Sequence, residues 1–218
     1  MACDYSATLN PGKALIWRIV HRDNIPWILD NGLHCGNSTV QYAQWVNIGN
    51  PELINKRAGH VVPVGEGGSL HDYVPFYFTP FSPMLMNIRS GRGGLQPRNN
   101  EELVILVSSL RTAAEKELSF VFTDSHAYYN WANFYTNLDD LALIDWKIIQ
   151  SRDFRRDPDD PGKFERYQAE ALIYQHLPLK MLHGMVCYTD TMKLQLEGWL
   201  TQRNLAIPVH TREGWYFS

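Results

Sequence analysis

Glu170 stands in QAEALIY at 168–174, among small and apolar residues on a stretch with strand character. A carboxylate in such a setting is desolvated unless it finds a partner. It is either a strand-end Glu turned to water or a carboxylate at the mouth of a cleft. In the second case the charged loop just ahead of it could present a substrate. Arg57, in NKR at 55–57, is either an exposed helix-end cation or an anion clamp. Arginine suits the second role because its fork of N–H donors matches phosphate and carboxylate oxygens. His21 follows a strand-like run, where a lone histidine is more often a hydrogen-bond partner than a catalyst. For His126, in TDSHAYY, local capping by the Thr-Asp-Ser turn is an adequate explanation. Tyr128, Tyr129, Trp131, Phe134 and Tyr135 interleave with polar residues. They read as the core side of a helix, or as a platform on which bases stack.

Several chemistries lack their parts. GEGG at 65–68 has no following Lys-Ser or Lys-Thr, so it is not a phosphate-cradling P-loop. GRGG at 91–94 does not open a helix-like pattern. No Gly-x-Ser-x-Gly elbow occurs. The three cysteines, Cys3, Cys35 and Cys187, have no regular spacing and suggest neither a disulfide framework nor a zinc site.

The elements that must position these groups are partly readable. Residues 14–20 (ALIWRIV) read as a first strand. Asp23 and Asn24 are N-cap candidates for a helix over Ile25–Asn31, with Gly32 placed for a left-handed C-cap. Residues 35–70 carry no clean period, and a loop that long is usually functional or mobile. A short helix over Pro51–Ala58 suits proline in a first turn. Residues 72–78 (DYVPFYF) are strand-like, but Pro75 lacks a ladder donor, which predicts an edge, bulged or bent strand. Residues 101–107 read as a central strand and 119–123 as a short one. Residues 125–135 are expected to be helical, and 138–149 to have helical or turn character. Residues 151–166 hold five basic and five acidic residues, a solvated loop in the simplest reading. Residues 167–174 and 185–187 read as strands and 191–203 as an amphipathic helix. A last hairpin is expected from 207–210 and 215–217. The class is α+β, without internal repeats or a linker.

The chain has 218 residues, 44% hydrophobic and 20% charged, which fits one domain over 1–218 with a sizeable core. Twenty basic against 23 acidic residues give a net charge of −3, which excludes a nucleic-acid partner held by bulk charge. A local groove is not excluded. The N-terminal residues lack the apolar run of a signal peptide, and no stretch approaches about 18 apolar residues. A reducing cytoplasm is the expected location, with no membrane partner.

Several ordered motifs resemble a known family. HDYVPFYFTPFSPML at 71–85, FTDSHA at 122–127, FY at 134–135, DW at 145–146 and RYQAEALIY at 166–174 are similar to DarT, the DNA ADP-ribosyltransferase toxins of DarT–DarG systems. The similarity runs from about 14 to 217. It implies an ADP-ribosyltransferase fold: two packed β-sheets around an NAD cleft, with peripheral helices. It also implies NAD+ as co-substrate, no metal, and transfer of ADP-ribose to thymine in single-stranded DNA, with guanine the target of a second branch. A DarG-like macrodomain antitoxin is the implied partner. Glu170 and Arg57 match the family's catalytic residues. The NAD-binding loop falls at about 35–57 and the substrate-reading loop at about 121–169. Arg18, Ile19, Val20, His21, Trp27, Gly32, Leu33 and Arg57 are expected at the dinucleotide. His126, Tyr128, Arg155, Arg156 and Arg166 are expected at DNA. Relatives carry Tyr-His where this chain has Trp17-Arg18, so the strand edge should hold nicotinamide by backbone groups. Competing classes are an inactive DNA-binding module of the same fold and a transferase acting on RNA or protein.

Overall fold

A near-continuous apolar run, buried on both faces, makes Leu15–His21 the first strand, β1, and a 3-10 turn leads into helix α1, Ile25–Asn31. The computed structural model describes residues 4–217. Strand β2 (Leu33–His34) precedes an irregular loop that ends at α2 (Pro51–Ala58). Then come β3 (Tyr73–Tyr77), α3 (Pro83–Ser90), β4 (Leu103–Ser109), α4 (Leu110–Glu115) and β5 (Phe120–Thr123). The middle of the chain holds β6 (Phe134–Tyr135), α5 (Trp146–Ser151) and α6 (Lys163–Arg166). The last part is β7 (Glu170–Tyr174), β8 (His176–Leu177), β9 (Gly184–Cys187), α7 (Asp190–Gln202) and β10 (Val209–Thr211).

The strands run in the order β10-β9-β4-β1-β3-β7-β5-β6, with β2 and β8 as a separate ribbon. Within this order β1 pairs with β4 along its whole length, but with β3 only at Trp17↔Tyr77. Two four-stranded halves are therefore joined by a single pair and part beyond it. Pro75 explains the parting, since it has no N–H to offer across that gap. The Arg18 side chain crosses instead, donating from Nη1 to the Pro75 carbonyl at 2.7 Å. β3 is thus an interior strand, paired with β7 over five positions, and not the edge expected of it. The bend expected from Pro75 takes the form of this split. The two expected sheets correspond to the two halves. β4 is buried on both faces, as its continuous apolar run requires.

The loop between β2 and α2 has no ladder of its own and is tied down by side chains. The buried Asn24 amide donates to the Val46 carbonyl and accepts from its N–H, both at 2.9 Å. Asn37 donates to Asp72 at 2.7 Å, and Trp27 stacks on Tyr42 and meets Trp45 edge-on. Asn24 therefore serves the loop and gives α1 no side-chain cap, while the His21 ring caps the preceding 3-10 turn by accepting from Asp23 N–H. Asn50 does cap α2, accepting from Leu53 N–H at 3.1 Å. Gly32 has φ +76 but an extended ψ, so it is not a left-handed cap. A Cβ there would meet the Leu177 carbonyl at 2.6 Å, so the glycine permits β2 and β8 to approach.

Two further expectations fail. Residues 125–133 are turns leading into β6, not a helix, because Asp124 draws Asn133 back through its N–H (3.1 Å) and its side-chain amide (2.7 Å). The last residues form no hairpin: β10 runs parallel to β9, and Trp215 sits in a 3-10 turn. Asn24→Ala would leave two Val46 main-chain groups unpaired. It should cost about 1–3 kcal/mol in chemical denaturation and speed amide exchange across residues 38–48.

Candidate active site

Glu170 opens β7 directly across from Tyr77 of β3, where the two half-sheets part. Its main-chain N–H donates to Thr123 Oγ1 at 3.1 Å, which holds the start of the strand. Arg57 arrives from the last turn of α2. Its Nη1 donates to Glu170 Oε1 at 3.0 Å and its Nη2 to Oε2 at 2.8 Å, a two-pronged pair. The neighbouring Lys56 points outward and pairs with Glu52 on its own helix. The Ala127 N–H adds a third donor to Oε1 at 3.0 Å. Glu170 is only 2% exposed, and burial alone would raise its pKa. The Arg57 charge, His126 and the Ala127 N–H outweigh burial and hold it below the ordinary carboxylate range. Burial opposes the Arg57 charge too, and Glu170 more than restores it.

His126 lies with Nδ1 3.4 Å from Glu170 Oε1, and the same nitrogen accepts the Tyr128 N–H at 3.2 Å. Burial is the main cause that lowers its pKa, against the Glu170 charge that raises it. The Arg18 guanidinium is partly buried beside Arg57, Glu170 and Tyr77. Burial is the main reason its pKa falls, to about 10, and it stays protonated at neutral pH. Its Nε has no partner among the described residues. Burial and the Glu170 charge push the Tyr77 hydroxyl upward, so it stays protonated.

Two cavities flank this cluster, of about 240 and 250 Å³. Arg18 and Arg57 line both. The first adds Ile19, Val20, His21, His126 and Glu170; the second adds Trp27. Most residues expected at the dinucleotide and the reacting carboxylate are thus brought together. Gly32 and Leu33 are not: they line neither cavity and serve the β2–β8 contact. The three DNA-candidate arginines lie apart from both cavities and are engaged with acids. Arg155 pairs with Asp153, Arg156 with Glu165, and Arg166 with Asp145 and Asp160. Tyr128 lines neither cavity and packs its ring 5.4 Å from His60. Among the described residues, no group of three or more His, Cys, Asp or Glu side chains could hold a metal.

The first cavity also uses residues that the sequence reading passed over. Gln168 lines it beside Glu170. It lies in the turn between α6 and β7, outside the strand, so no strand period marks it. Tyr77 was legible as the end of an aromatic strand but not as the residue opposite Glu170. Trp45 and Asn47 sit in a loop without a period, and no pattern marks them. Leu95 follows the second glycine-rich stretch, which Asn50 Nδ2 ties to the start of α2 through Gly93 O at 3.1 Å.

Arg57→Ala leaves the Glu170 carboxylate buried without its cation and should cost about 3–5 kcal/mol. In the native chain the depressed pKa contributes stability above the unfolded carboxyl value of about 4.3, lost as pH falls through the folded value. In the variant burial raises the pKa, so that contribution is present below the unfolded value and lost as pH rises. Thermal melts over about pH 4–8 should separate the two. Parallel pH profiles would contradict the pairing, and Glu170→Ala in the Arg57→Ala background should recover part of the loss.

The family model described as "ssDNA thymidine ADP-ribosyltransferase, DarT" matches residues 17–217. A DNA ADP-ribosyl transferase of Escherichia coli O127:H6 is 74% identical over the full length of both chains. The structure of Thermus sp. 2.9 DarT in complex with ADP-ribosylated single-stranded DNA superposes with a TM-score of 0.87 at 32% identity, covering 95% of this chain and 98% of that one. The same protein in complex with NAD+ gives 0.83 at 31% identity, covering 95% and 100%. On sequence and on fold alike, the chain belongs to the DarT family of single-stranded-DNA thymidine ADP-ribosyltransferases.

Proposed function

We propose that this chain transfers the ADP-ribosyl group of NAD+ to a thymine base in single-stranded DNA and releases nicotinamide. The observation that carries the reading is the two-pronged Arg57–Glu170 pair at the split between β1 and β3. The relatives solved with NAD+ and with ADP-ribosylated single-stranded DNA support it. Two arginines, Arg18 and Arg57, face one carboxylate there, so the cleft carries one net positive charge. That surplus suits the diphosphate of a dinucleotide, and the Arg18 Nε is a donor in want of an acceptor.

The chemistry follows from charge placement. Breaking the bond between ribose C1′ and the nicotinamide nitrogen sends its electron pair to the pyridinium ring and leaves oxocarbenium character on the ribose. An ionised Glu170 beside that sugar stabilises the developing charge, and its depressed pKa keeps it ionised. Thymine N3 attacks C1′ from the other face. Its proton becomes strongly acidic as the new N–C bond forms, so a weak base within hydrogen-bond reach suffices. Glu170 accepts it and returns it to solvent. Arg57 keeps both Glu170 oxygens aimed, and the Ala127 N–H holds the same carboxylate.

The chain works as a single domain, in the cytoplasm and without a metal. The loop at about 35–57 closes over the dinucleotide, and the segment at about 121–169 meets DNA. No helix among the described residues is long and apolar enough to cross a membrane. Pairing with a DarG-like antitoxin rests on family membership. Arg155 is tied to Asp153, so Arg155→Ala should change the salt slope of DNA binding by less than about one unit.

Incubation with NAD+ and mixed-sequence single-stranded DNA should add one ADP-ribose to the strand, seen by intact mass, with the fragment ions placing it on thymine. Glu170→Gln should lower the rate about 10²–10³-fold. Full activity of that variant would remove Glu170 from the mechanism, and NAD+ loss without DNA modification would redirect the search to RNA, protein or water as acceptor.

A further inference from the structure

A line of aromatic rings leads from Glu170 to the surface, and the transfer chemistry does not use it. It begins at His126, 3.4 Å from the carboxylate. The His126 ring meets Tyr129 edge-on with centroids 5.4 Å apart. Tyr129 in turn stacks on Trp131 at 4.6 Å and 12°, nearly parallel. Trp131 is 64% exposed. Beside this stack lies a shallow cavity of about 370 Å³, between the residues after α2 and the turns that carry the rings. His60, Pro63, Tyr129, Asn130 and Phe134 line it, and it shares no lining residue with the two cavities at the ion pair.

A single exposed tryptophan needs no explanation. This one is held in place. Main-chain bonds close consecutive turns, Tyr129 N–H to His126 O at 3.1 Å and Ala132 N–H to Tyr129 O at 3.0 Å. Asp124 anchors the far end through Asn133 and through the Tyr135 hydroxyl at 3.3 Å. A large flat ring fixed in water is a pre-organised face, and a partner that stacks on it pays little ordering entropy. Nucleobases stack on such faces whatever their identity.

We infer that the Tyr129–Trp131 stack and its adjoining cavity form a base-stacking subsite for a nucleotide flanking the modified one in a single-stranded substrate. The inference rests on the DNA transferase reading above. The rings start at the ion pair, so a strand whose target base reaches Glu170 has its neighbours within reach of Trp131. The subsite grips bases by their faces and so contributes affinity rather than a sequence code.

The test uses single-stranded oligonucleotides with one thymine and an abasic residue placed at successive flanking positions, with transfer followed by mass. For the native chain, one flanking abasic position should raise KM for DNA about 5- to 150-fold. Trp131→Ala should raise KM by a similar factor on the intact strand and lose its sensitivity to that same position. Trp131→Phe should recover most of both. Losses that simply multiply, with Trp131→Ala as sensitive to every abasic position as the native chain, would overturn the subsite while leaving the transferase reading intact. No transfer from the native chain to any strand would overturn the transferase reading and the subsite with it.

Discussion

Everything around the site depends on one buried ion pair. Arg57 and Glu170 come from elements 113 residues apart and meet out of water, with both carboxylate oxygens engaged. Such a pair adds little net stability, because desolvation offsets most of its attraction. What it secures is position. A carboxylate held by a fork of N–H donors and a main-chain N–H cannot swing to solvent, and its lowered pKa suits the role proposed for it.

The pair needs an opening in the sheet, and the opening comes from the split between β1 and β3. Continuous pairing there would close the cleft from which a substrate reaches Glu170. Pro75 withholds the N–H that would extend the ladder, and Arg18 spans the gap with a side chain instead. The same substitution of side chains for ladders recurs in the loop before α2. Asn24, Asn37 and the Trp27 cluster hold residues that have no secondary structure of their own. Loops tied by a few polar clasps can present a binding surface and still move more easily than a strand.

The turns after β5 serve two ends at once. Ala127 and His126 face Glu170, while Tyr129 and Trp131 carry aromatic surface outward. Their spacing had suggested a helix. Asp124 overrides that pattern by bonding Asn133, and the rings then fall in a line away from the carboxylate rather than along a helical face. The charged stretch before α6 behaves in the opposite way. Its arginines, which read as DNA contacts, pair with nearby carboxylates and leave that loop close to neutral, Arg155 at 86% and Arg156 at 70% side-chain exposure.

Much of the frame could be read from local pattern. Proline suited to a first turn marks α2 at Pro51–Ala58, and apolar runs mark β1 and β4 within two residues and β7 with three residues too many at its start, because helix starts and buried strands obey short-range rules. Glu170 and Arg57 stood out as a carboxylate and a cation in unusual surroundings, and ordered motifs tied them to a family. Their meeting was not readable, since no local rule relates positions 113 residues apart. Nor was the interior place of β3, which depends on β7 arriving later in the chain. Tertiary structure decided which of Lys56 and Arg57 turns inward, which arginines are spent on neighbouring acids, and where the aromatic rings lead. Each of those outcomes depends on which charges and faces the fold brings within a few ångströms, and sequence distance carries no information about that.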